Sequence, residues 1–345
     1  MFGFHEIDLM SRGGSLTLLI LWSWILLRDH RDLLAGRLAV AMNVAIACYL
    51  IRTSGWAEGR SPLWFVLELG AGSTPGFFWL FARAWFGDRT RIGRIPIALV
   101  CAAIANMAVL QLTFPDKSVV FYCSAISFRA GMFAFAAAGF WEAWRGRDDD
   151  LVEGRRRLRL AIIASVGLYV VAIAIAEVGV YQFGAPRAVV SVIGSSIVLV
   201  TLVICASMFG FRQTDLLGER SRPLETEPVA LEDHPLAQRL LAVMGADLPH
   251  RDETMTIAKL ASQLGEQEYR LRRLINGTLG YRNFAQFLNG YRLAEVRSAL
   301  ADPTQKDVSI LTIALDAGFG SLGPFNRAFR EAEGMTPTTF RTRAA

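Results

Sequence analysis

The sequence predicts an all-α chain in two parts: a bundle of seven apolar, membrane-spanning helices, then a soluble helical domain with two helix-turn-helix units joined by a strut helix. Three observations predict it. Of the 345 residues, 53% are hydrophobic, and the excess lies almost wholly before Phe211. There it forms apolar runs of about 15 to 25 residues, the length a bilayer core requires. Beyond Phe211 the composition is that of a globular domain, and within it one helical pattern recurs after about 53 residues.

The apolar runs, in order, are roughly 10 to 27, 33 to 51, 62 to 86, 95 to 114, 118 to 144, 158 to 182 and 187 to 211. Arg37 interrupts the second. The first lies where a secretory leader would, but Glu6, Asp8 and Arg12 flank it and no small-x-small cleavage pattern ends it before Arg28. Basic residues orient the bundle. The first, third and fifth loops carry eleven arginines (Arg28, Arg31, Arg89, Arg91, Arg94, Arg145, Arg147, Arg155, Arg156, Arg157 and Arg159), against four cations in the even loops, Arg52, Arg60, Lys117 and Arg187. Positive loops stay inside, so the N-terminus is expected outside and the C-terminus in the cytoplasm of a bacterial inner membrane. Trp56 and Trp64 bracket the outer end of the third run, and Trp85, Trp141 and Trp144 fall at inner ends, as an aromatic belt would.

Ionisable residues inside the runs are few, and three share a depth. Glu68, Arg129 and Glu177 all fall in the outer half of the bilayer at about 1.5 Å rise per residue. Charges there pair or line a wet cavity, so the three are a candidate signal-sensing cluster, the alternative being a structural ion pair or snorkelling of the glutamates. Gly70, Gly72, Pro75 and Gly76 should bend the third run or let a neighbour pack closely, and Ala130, Ala134 and Ala138 make a small-residue face on the fifth. Cys48, Cys101, Cys123 and Cys205 all lie in apolar runs, where a cysteine behaves as a small apolar residue. No Cys or His cluster has ligand spacing and no phosphate-binding glycine loop occurs, so neither a metal nor a cofactor is called for, and no nucleophile or acid-base constellation suggests an enzyme.

Residues 212–234 carry Pro223, Pro228 and six acidic residues against three arginines, the composition of a linker. The soluble domain is expected over 235–345. Its first repeat reads Ile257, Leu260, Ala261, Leu264, Gly265; its second reads Ile310, Ile313, Ala314, Ala317, Gly318. Both are an i, i+3, i+4, i+7 stripe ended by a glycine able to turn left-handed, and a second amphipathic helix follows each. Between them, a helix over about 283–301 would act as a strut. At 100° per residue, the second helix of the first unit turns Tyr269, Arg272, Arg273 and Asn276 away from its core stripe, and that of the second turns Gly323, Asn326, Arg327 and Arg330 outward. Arginine suits guanine edges or phosphate and asparagine suits adenine, so these faces are candidate readers of two successive major grooves of double-stranded DNA about 34 Å apart. A solvated charged face is the alternative.

The stretches "IAKLASQLGEQEYRLRRLI", "GYRNFAQFLNGYRLAEVRSAL" and "ILTIALDAGFGSLGPFNRAFREAEGMTPTTFR" closely resemble, in order and spacing, the DNA-binding domain of the AraC/XylS transcription regulators, over about 235 to 342. The resemblance implies that Tyr269, Arg272 and Arg273 contact DNA from the first unit, and Asn326 and Arg327 from the second. Leu322, Gly323 and Pro324 depart from the small polar residues common in the family, which shifts the expected base readout toward Arg272 and Arg273. The domain carries fourteen Lys or Arg and eleven Asp or Glu, a modest excess, so affinity must come from placement of charge.

By analogy of domain order, the seven runs take the place of a sensor. The expected function is therefore a one-component regulator that couples a membrane or extracytoplasmic signal to promoter binding, with the bilayer, RNA polymerase, a second copy of the chain and an unknown signal ligand or membrane partner as possible partners. The alternative is a membrane receptor or transporter whose C-terminal domain is chiefly a protein-interaction module.

Overall fold

The computed structural model describes residues 4–54, 61–87, 91–114, 116, 118–147, 149–152, 159 and 235–344. It divides into two compact units: residues 1–148 with 154–218, and residues 149–153 with 219–345. Among the described residues the regular elements are helices.

Unit 1 contains α1 (Phe4–Asp29), α2 (Leu34–Arg52), α3 (Pro62–Gly72), α4 (Thr74–Phe86), α5 (Arg94–Thr113) and α6 (Val119–Arg145). Among the described residues five stretches are long and apolar enough to cross a membrane: Asp8–Asp29, Leu34–Arg52, Pro62–Phe86, Arg94–Thr113 and Val119–Arg145. These coincide with the first five expected runs to within about two residues. The sixth and seventh runs, Glu177, Cys205 and the 212–234 linker lie outside the described residues. Large apolar side chains face outward on these helices, including Ile20, Ile95, Leu112, Val119 and Ile126. Such a surface suits lipid, where helices satisfy their own backbone groups.

The third run is a broken helix. Pro75 has no N–H to offer the carbonyl of Ala71, and the Thr74 hydroxyl donates to that oxygen instead at 2.8 Å, while Ser73 Oγ donates to Gly70 O at 2.6 Å. Ser73 thus ends α3 and starts α4. The glycines around the break serve close packing. A Cβ on Gly70 would stand 2.6 Å from Cys48 Sγ, and one on Gly76 would meet Val100 at 3.0 Å. On α6 the packed small face is Ala136, Gly139 and Ala143, with Gly139 against the Phe78 ring. Of the expected face, Ala138 packs against the cluster of Trp79, Leu80 and Val100, while Ala130 and Ala134 are exposed, because α4 lies against the neighbouring stripe. Trp85 also departs from the belt expected of it. It is 2% exposed, stacked with Phe81 in a core shared with Trp22, Leu26 and Phe78, whereas Trp141 and Trp144 do face outward.

Polar side chains tie the helix ends. Glu68, buried on α3, pairs with Arg52 at the end of α2 and accepts from Gln111 of α5. Among the described residues the pair shown for Glu68 is with Arg52, while Arg129 is exposed on α6 and Glu177, the third residue of the expected cluster, lies outside the described residues. Bilayer depth placed Glu68 and Arg129 at one level, but depth says nothing of which way a helix faces. Arg12, 2% exposed, pairs with Asp8 one turn earlier at 2.9 Å and donates to Leu50 O at 3.0 Å and Thr53 Oγ1 at 2.5 Å, so α1 caps the carboxyl end of α2.

Unit 2 contains α7 (Pro235–Ala246), α8 (Ile257–Gln263), α9 (Glu268–Arg273) continued by a wider turn over Leu274–Thr278, α10 (Phe284–Ala301), α11 (Ile310–Asp316), α12 (Leu322–Glu333) and α13 (Pro337–Ala344). Helix α10 is the expected strut. Asn283 caps it, accepting from Gln286 N at 2.7 Å. Its first half gives Phe284, Phe287 and Leu288 to one core, with Leu236, Leu240, Leu260, Leu271 and Ile275. Its second half gives Leu293, Val296 and Leu300 to another, with Ile313, Phe325 and Phe329. One helix shared by two cores holds the two repeats in a single body.

Candidate nucleic-acid interface

Each repeat closes its turn in the same way. Thr256 caps α8, and Ser309 caps α11, through hydroxyls that accept from the backbone three residues on. At the other end Gly265 and Gly318 take φ of 65° and 94°. Glu266 N then donates to Ala261 O at 2.9 Å, and Phe319 N to Ala314 O at 3.0 Å, the matching bond 53 residues later. The repeat read from apolar spacing is thus a repeat of backbone geometry. The glycines differ in surroundings. A Cβ on Gly265 meets open space, whereas one on Gly318 would strike His250 O and the backbone of Arg251.

The second helices present their side chains unevenly. On α9, Tyr269 is 63% exposed and Arg273 is exposed. Arg270, which the wheel left aside, is exposed but bonded to Glu266 at 3.0 Å. Hydrogen bonds from Arg239 first, and from Arg270, hold the Glu266 carboxyl below its ordinary range. Asn276 is half-buried and its amide donates to Tyr281 O at 3.0 Å, a bond within its own unit. On α12, Arg327 and Arg330 are exposed and Asn326 is half-buried; Leu322, Gly323 and Pro324 stand at its exposed start. No ion pair holds Arg273, Arg327 or Arg330 among the described residues. Three unpaired guanidinium groups on two equivalent helices can meet phosphate oxygens or guanine edges without first breaking a salt bridge.

Arg272 is the departure. The wheel turned it outward, yet its side chain is only 10% exposed. It pairs with Glu268 one turn earlier, and its Nη1 donates to Asp150 O at 2.7 Å. At 100° from Leu271 it lies on the flank of the core stripe, and chain from far upstream covers that flank. Leu151 N donates to Arg282 O at 3.1 Å and Phe284 N to Asp149 O at 2.8 Å, either side of an antiparallel bridge between Asp150 and Asn283. Leu151 joins the first core, and Asp150 and Val152 are buried with it. The signal for this was present in the sequence as two apolar residues, Leu151 and Val152, inside the charged stretch "RDDDLVEGRRR".

Comparison with known proteins agrees with this geometry. A family model described as "Helix-turn-helix domain" matches residues 260–343. A protein of Proteus vulgaris named "Probable transcription factor PqrA" is 33% identical over 91 residues, which cover 26% of this chain and 71% of that protein. No solved structure matches the chain significantly.

Proposed function

Since the chain belongs to the AraC/XylS family of transcription regulators, we propose that it is a DNA-binding transcription regulator embedded in a membrane, which passes a signal from the bilayer or beyond it to promoter DNA. The observation that carries the DNA-binding half is the set of exposed, unpaired arginines, Arg273 on α9 and Arg327 and Arg330 on α12, displayed by two equivalent turns in one body. Tyr269 and Asn326 are the neutral contacts beside them. Two such helices on a shared strut suit successive major grooves of one duplex face. The membrane half is supported by the five apolar helices and their outward-facing Ile, Leu and Val side chains. The charge asymmetry of the loops then puts the C-terminal unit in the cytoplasm, where DNA and RNA polymerase are. Glu68, with Arg52 and Gln111, is the polar site of the described membrane helices best placed to respond to a signal.

The test is selective DNA binding by the full chain in lipid nanodiscs, on promoter fragments recovered from a genome-wide occupancy map. Arg273→Ala is expected to weaken binding about 5- to 100-fold and to relax preference at one base position if the residue reads a base. Arg327→Ala and Arg330→Ala should each weaken binding on all sequences and reduce the salt slope by about one. Binding indifferent to all three substitutions would remove this interface from the regulator. A C-terminal reporter active only outside the cytoplasm would overturn orientation and DNA binding together.

A further inference from the structure

We propose that residues 149–152 are a latch: docked on the first helix-turn-helix unit they withdraw Arg272 from DNA, and their release returns it to the recognition face. This rests on the DNA-binding reading above. The segment belongs by sequence to the loop between the fifth and sixth apolar runs, yet the chain enters unit 2 at Asp149 and leaves it after Glu153. Its attachment is specific. Two main-chain hydrogen bonds flank the Asp150–Asn283 bridge, and Leu151 and Val152 are 4% and 7% exposed.

Docking and DNA contact compete for the same group. Arg272 Nη1 is occupied by Asp150 O, and the rest of the guanidinium by Glu268. Removing the segment takes away the acceptor and the cover, leaving Arg272 next to the exposed Arg273. The connection upstream is short. In sequence only three residues lie between the end of α6 at Arg145 and Asp149, so the segment is tethered directly to the fifth apolar run. The latch consists of three buried residues, Asp150, Leu151 and Val152, two main-chain bonds and the Arg272–Asp150 bond, and a signal acts by biasing the balance of docked and released forms by the usual 5- to 150-fold.

The experiment uses the full chain in nanodiscs with Cys48, Cys101, Cys123 and Cys205 replaced by serine, carrying Asp150→Cys with Asn283→Cys. Residues opposed in an antiparallel bridge have Cα atoms about 4.5–5.5 Å apart, within the range a disulfide accepts. Oxidation should form the bond and weaken promoter binding at least tenfold, and reduction should restore it. In the native background Leu151→Asp, which puts a carboxylate into an apolar core, should tighten binding several-fold, and adding Arg272→Ala should cancel the gain. Equal affinity in the oxidised and reduced states, or failure of the bond to form, overturns the latch and leaves DNA binding standing. Absence of selective binding by the reduced and native proteins alike overturns the DNA-binding reading, and the latch with it.

Discussion

Arg292, in the middle of the strut helix α10, donates from Nε to the main-chain oxygen of His250 at 2.6 Å. It donates also from Nη2 to Asp252 O at 3.0 Å, and its guanidinium lies 5.7 Å from the centre of the Phe319 ring. The one side chain thus joins the segment before the first repeat to the core of the second. Burial lowers its pKa from the ordinary arginine value, against the raising charges of Asp252 and Glu253. Arg292→Ala strands two carbonyl groups and is expected to destabilise unit 2 by about 2–4 kcal/mol. Hydrogen exchange of α10 amides in the full chain measures this; a change under about 0.5 kcal/mol, ordinary for a surface substitution, would show the contact to be incidental.

Glu295 stands one helical turn further along α10 and binds both Arg251 and His250, the latter at 3.1 Å. Burial pushes its carboxyl up, but hydrogen bonds from Arg251 and His250, with their positive charge, outweigh that and leave it below the ordinary range. A depressed carboxylate contributes stability that is present above the unfolded value, about 4.3, and lost as pH falls through the folded value. Unit 2 should therefore lose protection of α10 amides progressively below about pH 5. Glu295→Gln should cost roughly 1 kcal/mol at neutral pH and make the acid loss shallower. An acid limb of unchanged slope in the variant would assign the loss to other carboxylates.

The two turn glycines separate backbone conformation from crowding. Both have positive φ, so alanine costs each about 1 kcal/mol from conformation alone. At Gly265 that is the whole cost, because its Cβ would meet nothing. At Gly318 the Cβ would collide with backbone at His250 and Arg251, which cannot swing aside as a flexible side chain does. Gly318→Ala should therefore destabilise by about 3 kcal/mol or more and abolish DNA binding, while Gly265→Ala or Gly265→Asn leaves a folded, binding protein. Equal losses at the two sites would contradict the close approach of the second turn to the 249–251 segment.

What was legible in the sequence follows the range of the interactions. Gly265 and Gly318 ended their helices where the pattern placed them, because a glycine turn is decided by a few neighbouring residues. The five described spans and the break at Pro75 were legible for the same reason: length, apolarity and a missing N–H are local properties. Partners were not legible. Depth set Glu68 and Arg129 at one level, but Arg52 takes Glu68, since azimuth depends on how whole helices pack. Arg272 stands on the flank of the core stripe and is covered there by Asp150, 122 positions earlier, a contact that no periodicity on α9 reveals.

Arg159 makes the last point testable. It was expected as one of a group of surface cations that orient the bundle, together with Arg155, Arg156 and Arg157. It is 1% exposed instead, donating to Ala143 O and Phe86 O, both at 3.1 Å, with its guanidinium 4.5 Å from the centre of the Phe86 ring. These carbonyls belong to the last turns of α6 and α4, where a helix has unpaired acceptors and the negative end of its dipole. The two roles predict different consequences of a conservative change. Lysine serves orientation as well as arginine does, but its single ammonium cannot fork to two carbonyls and stack on a ring at once. Arg159→Ala should therefore destabilise unit 1 by about 2–4 kcal/mol, and Arg159→Lys should recover less than half of that. Thermal unfolding of the full chain in detergent reads the difference, with topology checked by a C-terminal reporter. Full recovery by lysine would return Arg159 to the role of an orienting charge.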